Sequence, residues 1–265
     1  MKKHFTLCLL LACSTFLFSC NRDNKPDNPV TPDDPVNPSE NTVTDIDGNV
    51  YNTILIGEQC WMKENLRTTR FADGTPIPIG DEENWSDSEP FYYDYGISGI
   101  PLEERGYLYN WPAAVHGTSF SKDDPNDVQG ICPNGWHLPS DAEWKQLTDY
   151  VSSHSEYVCG DDTNNIAKAL ASTTWWHNES RNACHVGADP GSNNASGFCA
   201  IPAGGWLGSI EECSQAGYTA NFWSSTESNN YSDCACIREL DYYHPDVFKF
   251  EFRKRLGFSV RCLRE

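Results

Sequence analysis

Four groups of side chains in this 265-residue chain have the types and spacing that chemistry requires. Cys234-Ala235-Cys236 is a thiol pair of the kind that can hold a metal. His137 is a candidate general base. Asp45-x-Asp47-Gly48-Asn49 starts like a calcium loop, in which hard oxygen donors surround the ion. The fourth group is residues 228–256, rich in Tyr, Phe, Asp, His and Arg. It lies between Phe222-Trp223-Ser224-Ser225-Thr226-Glu227 and Gly257-Phe258-Ser259-Val260-Arg261-Cys262-Leu263-Arg264. Its chemistry is recognition, because aromatic residues and Arg dominate the energetic centres of interfaces.

The first three groups lack what would complete them. No second Cys pair supplies zinc-type spacing. No nucleophile is placed beside His137, so it reads as a buried, hydrogen-bonded histidine. Counting Asp45 as the first loop position, the twelfth is Ile56 instead of the bidentate Glu of a calcium loop, so the segment reads as a turn. No Ser/His/Asp order, phosphate loop or paired-carboxylate motif appears. We therefore assign no catalytic residue, no metal ligand and no cofactor, and expect a binding protein and not an enzyme.

Several elements must position the aromatic segment. Residues 42–57 read as a hairpin whose turn is 45–49. Cys60-Trp61-Met62-Lys63-Glu64-Asn65-Leu66 reads as a core-covering segment, 71–104 as a long acidic surface insertion and 106–111 as a short strand. Ser140 and Glu143 form a capping box before Trp144, Leu147, Tyr150 and Val151, one face of a helix. A second short helix is expected over 165–172, with Ile166, Ala169 and Leu170 inward. Val247-Phe248-Lys249-Phe250-Glu251-Phe252-Arg253 alternates with period two, as a half-buried strand does. Its simplest orientation turns the three phenylalanines to the core.

The N-terminus reads as a targeting segment. Lys2 and Lys3 precede an apolar run over 5–19, too short to span a bilayer and suited to export. Leu17-Phe18-Ser19-Cys20 resembles a bacterial lipobox, with Cys20 as the acylated residue. Leu10-Leu11-Ala12-Cys13 matches more closely, but cleavage there leaves apolar Phe16-Leu17-Phe18 on the mature end. Residues 1–19 are thus a signal peptide, and 20–41 a lipidated Cys with a Pro/Asp/Asn-rich stalk. Its prolines, at Pro26, Pro29, Pro32, Pro35 and Pro38, favour extended polyproline II. Residues 42–265 form one domain. Loss of Lys2 and Lys3 leaves 17 of the 19 basic residues against 38 acidic ones, a net charge of −21. Such a charge excludes nucleic-acid partners and contact with anionic lipid beyond the anchor.

An exported chain sits in an oxidising setting, so its cysteines favour disulfides over metal. Beyond Cys20 there are nine, an odd number. Cys159 with Cys184 would close a local loop, and Cys132 with Cys262 would tie the middle of the domain to its end.

Four blocks together resemble one family, the Fibrobacter succinogenes major paralogous domain found in Bacteroidetes lipoproteins. They are Ile56-Gly57-Glu58-Gln59-Cys60-Trp61-Met62-Lys63-Glu64-Asn65-Leu66, the run 130–144 around Gly135-Trp136-His137-Leu138-Pro139-Ser140, the run 197–204, and the two ends that frame 228–256. The run 130–144 also resembles the Leu-Pro-x-x-x-Glu-Trp signature of formylglycine-generating enzymes. That resemblance implies an α+β, C-type-lectin-like fold in which two helices flank small twisted antiparallel sheets and much of the chain is loop. The closing Gly-Phe-Ser-Val-Arg-Cys-Leu resembles the end of variable proteins made by diversity-generating retroelements. This implies fixed residues at Ala235, Arg238, Leu240, Tyr242, Val247 and Lys254. It implies rewritable, ligand-binding ones at Ile237, Asp241, Tyr243, His244, Asp246, Phe248, Phe250, Phe252, Arg253, Arg255 and Leu256. All of these interleaved types, and Cys234 and Cys236, can be reached by changing the adenines of an Asn codon; Glu239, Lys249 and Glu251 cannot.

The expected function is a lipid-anchored outer-membrane receptor or adhesin, displayed on the cell surface. It would bind a protein or glycan on another cell or phage, with Phe248, Phe250 and Phe252 turned outward. The alternatives are a fixed glycan-binding or cell-envelope module and, more remotely, a formylglycine-generating-type oxidase.

Overall fold

A computed structural model describes residues 42–94, 99–116, 128–208 and 215–264. The expected signal peptide, Cys20 and the stalk lie outside the described residues, as does Cys213. The described chain is a loop-rich α/β arrangement of short helices and antiparallel sheets. Among the described residues no helix is long and apolar enough to cross a membrane.

The hairpin forms where the turn residues place it. Strands β1 (Thr42–Thr44) and β2 (Val50–Ile56) pair antiparallel. The Asp45 carboxylate accepts from the amides of Asp47 and Asn49 and from the Tyr51 hydroxyl, which closes the turn with the chain's own donors. Strand β3 (Gln59–Met62) extends the sheet and meets β9 (Leu263–Arg264), so the chain's end is paired into its first sheet.

The middle of the chain is less superficial than its acidic composition implies. Phe71, Ile77 and Tyr93 are buried, and β4 (Tyr92–Tyr93) pairs with β5 (Leu108–Tyr109). Helix α1 (Leu102–Arg105) lies between them. The strand expected over 106–111 is shorter: Asn110 caps helix α2 (Trp111–Val115) by accepting from the Ala113 amide, and Pro112 fits the first turn, where no amide donor is needed.

Helix α3 (Asp141–Ser152) starts at the capping box, with Ser140 and Glu143 bonded reciprocally. It buries Trp144, Leu147 and Val151, while Tyr150 is half-buried against Gly57. Helix α4 (Ala167–Leu170) is one turn long. Strands β6 (Thr219–Glu227), β7 (Cys234–Asp241) and β8 (Val247–Arg253) form a three-stranded antiparallel sheet with β8 at one edge. Disulfides join Cys132 to Cys262 and Cys159 to Cys184.

Four buried aromatic rings hold these parts together. Trp144 of α3 and Phe198, from the loop before β6, each pack on the other and on both Trp61 of β3 and Phe222 of β6, with ring centroids between 4.7 and 6.0 Å apart. Burying each contributes about 2–3 kcal/mol by area. Arg261, itself fully buried, lies over Phe198 and Phe222 at 4.5 and 5.2 Å. Its guanidinium donates to the carbonyls of Phe198 and Cys199 and to Asn65 Oδ1 at 2.8 Å. Asn65 in turn donates to the Ser259 hydroxyl and the Arg105 carbonyl. Burial pushes the Arg261 pKa down to about 10. It nevertheless stays charged at neutral pH, with no salt bridge to it among the described residues.

Replacing Arg261 by Ala removes three charge-assisted bonds and orphans Asn65 Oδ1 and two carbonyls. The expected loss is about 3 kcal/mol or more. Arg261→Lys should recover little of it, because one ammonium cannot reach all three acceptors. Urea unfolding of the two variants measures both.

Candidate functional site

The register of the β6–β7–β8 sheet sets which side chains face together. Phe248, Phe250 and Phe252 stand opposite Glu239, Ile237 and Ala235, and Ile237 stands opposite Trp223. Directly opposed residues share a sheet face, so the phenylalanines lie on the Trp223 side. Lys249, Glu251 and Arg253 take the other side.

Neither simple orientation of the alternating strand describes the result. The phenylalanines lie on the same face as core residues, yet β8 is the edge strand and overhangs their cover. Phe250 is 41% exposed, while Phe248 and Phe252 are half-buried. Their rings form a ladder: Phe248 to Phe250 at 5.7 Å, Phe250 to Phe252 at 6.2 Å and Phe252 to buried Phe258 at 5.4 Å. The ladder continues outward from Phe248 to His244 at 5.1 Å. It then runs through His185 and Tyr243 to Tyr242, Tyr218 and His177. The result is one aromatic ridge, rooted in the core at Phe258 and exposed at Tyr218, Tyr243 and Phe250.

The ridge is held from behind. Asp141, the first residue of α3, pairs with Arg238 of β7 and with Lys249 of β8, the latter at 2.8 Å. The Lys249 ammonium is consequently held above its ordinary pKa, the hydrogen bond to Asp141 being the main cause. Lys254, just past β8, bonds Glu227 at 2.6 Å and lies 4.6 Å over the Trp111 ring. Trp223 Nε1 donates to the Tyr109 carbonyl and Trp111 Nε1 to that of Ser224.

Of the residues expected to bind, Tyr243, His244, Phe250 and Arg253 are exposed. Asp241, Asp246, Phe248, Phe252, Arg255 and Leu256 are half-buried along the same region. Ile237 corrects the expectation: it is fully buried in the core, because β7 is the central strand and its Trp223-facing side is covered. Cys236 is buried as well. Of the residues expected to be fixed, Ala235, Arg238, Leu240 and Lys254 are buried, and Tyr242 and Val247 are half-buried. His177, His185 and Tyr218 escaped the sequence reading, because they come from segments well before β7 and join the ridge only through the fold.

The other candidate groups are drawn into structure. His137 Nε2 pairs with buried Glu143 at 2.6 Å, within the capping box, and its backbone bridges Leu263. Burial raises the pKa of both Cys234 and Cys236, which disfavours the thiolate that metal binding requires. Among the described residues no group of three His, Cys, Asp or Glu side chains could hold a metal ion.

One carboxylate stands apart. Glu239 shares the ridge face with Phe248 and stands opposite Asn221, whose Oδ1 is buried without a hydrogen bond. Burial, with Asp241 adding repulsion, raises the Glu239 pKa to about 7.

A family model, the Fibrobacter succinogenes major domain, matches residues 54–264, and the chain belongs to this family. No curated protein and no solved structure matches it.

Because the Glu239 pKa is raised on folding, its contribution to stability is full below about 4.5 and lost as pH rises through about 7. The protein should therefore lose more thermal stability between these pH values than the Glu239→Gln variant, whose amide does not titrate. Melting curves of the two proteins across that window check this; parallel curves would show that Glu239 titrates normally.

Proposed function

We propose that this family member is displayed on the cell surface as an outer-membrane lipoprotein. In this reading it is acylated at Cys20 and carried on the stalk 20–41. It acts as a receptor or adhesin, binding a protein or glycan of another cell or phage through the ridge of the β6–β7–β8 sheet. The observation that carries the proposal is the continuous aromatic ridge on an edge strand whose other face is tied down by Asp141. A backbone already fixed loses little entropy on binding. Rings exposed at Tyr243 and Phe250 supply the contacts that dominate hot spots.

We further propose a C-type-lectin-like arrangement, with helices beside small twisted sheets. The region 228–256 is then diversified by a retroelement. That Ala235, Arg238, Leu240 and Lys254 are buried while Tyr243, His244, Phe250 and Arg253 are exposed supports this reading, although Ile237 departs from it. Exposed positions tolerate substitution within about 0.5 kcal/mol, whereas buried ones do not. Ile237 would be the rewritable position whose variation costs most stability.

Two measurements test the proposal. Neighbouring DNA should carry a near-repeat of the coding region for 222–264 beside a reverse transcriptase, differing only at adenines; without it, the module is fixed. Arrays of bacterial surface proteins and glycans should yield a ligand whose affinity falls about 30-fold in Phe250→Ala or Tyr243→Ala, the size of a hot-spot loss. Ligands indifferent to both substitutions would place recognition elsewhere.

A further inference from the structure

Strand β8 is an edge, and the phase of its ladder decides which backbone groups that edge presents. The Lys254 amide donates to the Asp233 carbonyl, which continues the β7–β8 register by one residue. Hydrogen-bonded positions alternate along an antiparallel pair, so Phe252, Phe250 and Phe248 bond to β7. The N–H and C=O groups of Lys249 and Glu251 therefore point away from the sheet. Among the described residues no hydrogen bond reaches them. Unpaired backbone on a strand edge is a template for one further strand.

The side chains choose that strand. Edge charges ordinarily repel a newcomer, but here they alternate in sign along one face, as Lys249, Glu251 and Arg253. An antiparallel copy of β8 meets the outward groups only in registers that oppose odd-numbered residues to odd-numbered ones. Centred on Lys249, such a register sets Lys249 against Lys249. Centred on Glu251, it sets Glu251 against Glu251 and Lys249 against Arg253. Registers centred on Phe248 or Phe252 run off an end of the strand, and the Arg253 carbonyl already accepts from the Leu256 amide. Centred on Phe250, the register sets Lys249 against Glu251 twice, by symmetry. Phe248 then meets Phe252, and Phe250 meets its own copy. Opposite charges and aromatic rings stabilise such cross-strand pairs, and like charges destabilise them. Both charged groups keep capacity for a partner. Lys249 spends one of three donors on Asp141, and Glu251 accepts from Ser228 and Asn230 through Oε2, leaving Oε1. We propose that β8 pairs antiparallel, about Phe250, with β8 of a second copy of this chain. Lys249 and the partner's Glu251 then exchange both backbone hydrogen bonds, and two sheets become one. All the phenylalanines stay on one face, so the two ridges join at Phe250. The inference does not rest on the ligand or on diversification.

The test is sedimentation of the mature chain, 20–265, across micromolar concentrations, where a monomer–dimer equilibrium is expected. Lys249→Glu opposes Glu to Glu, and Glu251→Lys opposes Lys to Lys. Each should weaken the dimer about tenfold or more. Mixed in equal amounts, the two variants should regain the lost affinity, because every opposed pair then carries opposite charge. A variant that merely misfolds would not be rescued in this way. Phe250→Cys should form a reducible dimer, since the central pair is not hydrogen-bonded and its Cα atoms would lie about 4.5 Å apart, within disulfide reach. Phe248→Cys should cross-link no more than the unaltered chain. Residues 249 and 251 lie on the face opposite the ridge, so ligand binding through Tyr243 and Phe250 is expected to survive their substitution. The two proposals thus fail separately. Four results would each overturn the inference: a monomer at every concentration, a dimer indifferent to both charge reversals, no recovery on mixing, or equal cross-linking of the two Cys variants.

Discussion

A positive charge with no salt bridge among the described residues is buried in this domain, and its needs dictate much of the surrounding structure. Arg261 is fully buried, and its charge is balanced by two backbone carbonyls, one amide oxygen and two aromatic faces. A charge removed from water is costly unless hydrogen bonds compensate it; here both terminal nitrogens of Arg261 are bonded, and the buried Nε has no partner among the described residues. The suppliers come from far apart in sequence: Asn65 from the segment after β3, Phe198 and Cys199 from the loop before β6, and Phe222 from β6 itself. Trp144, which opens α3, packs on Phe198 and Phe222. All four blocks that resemble the family thus meet within one cluster, and the resemblance acquires a physical meaning. The Cys132–Cys262 disulfide and the β3–β9 pairing both fix the residues that immediately follow Arg261.

This cluster frees the far side of the sheet from structural duty. β6 is buried almost throughout, β7 is the central strand and β8 is the edge. Burial therefore decreases across the sheet, while Asp141 ties Arg238 and Lys249 to the start of α3. Edge strands present unpaired backbone and invite association. Here the edge bears charges on one face and a row of rings on the other. Gly257 shows how tightly the return path is packed: a Cβ there would lie 2.7 Å from the Tyr93 ring.

The sequence made the local elements legible. The hairpin turn at Asp45, the capping box at Ser140 and the period-two run of β8 each encode their structure within a few residues. Helices α1 and α2 escaped because they are too short for a period to show, although Asn110 and Pro112 are a cap signal that could have been read. Phe71, Ile77 and Tyr93 were hidden by acidic neighbours that face water. At the site, alternation gave the strand but not how far its face is covered, which depends on β8 being an edge. That is a property of sheet order. Ile237 lies on the same alternation as exposed positions and is buried for the same reason. His177, His185 and Tyr218 reach the ridge through long-range packing alone.

The division between a frame that cannot change and a surface that can is best tested by replacing the surface wholesale. Tyr243, His244 and Phe250 are all exposed, so substituting the three together by Asn should cost no more than about 2 kcal/mol of unfolding free energy. The midpoint of urea unfolding would shift modestly, and near-ultraviolet dichroism of the buried tryptophans would be retained. Loss of cooperative unfolding in this triple variant would contradict the account, for the ridge would then be part of what holds the protein together.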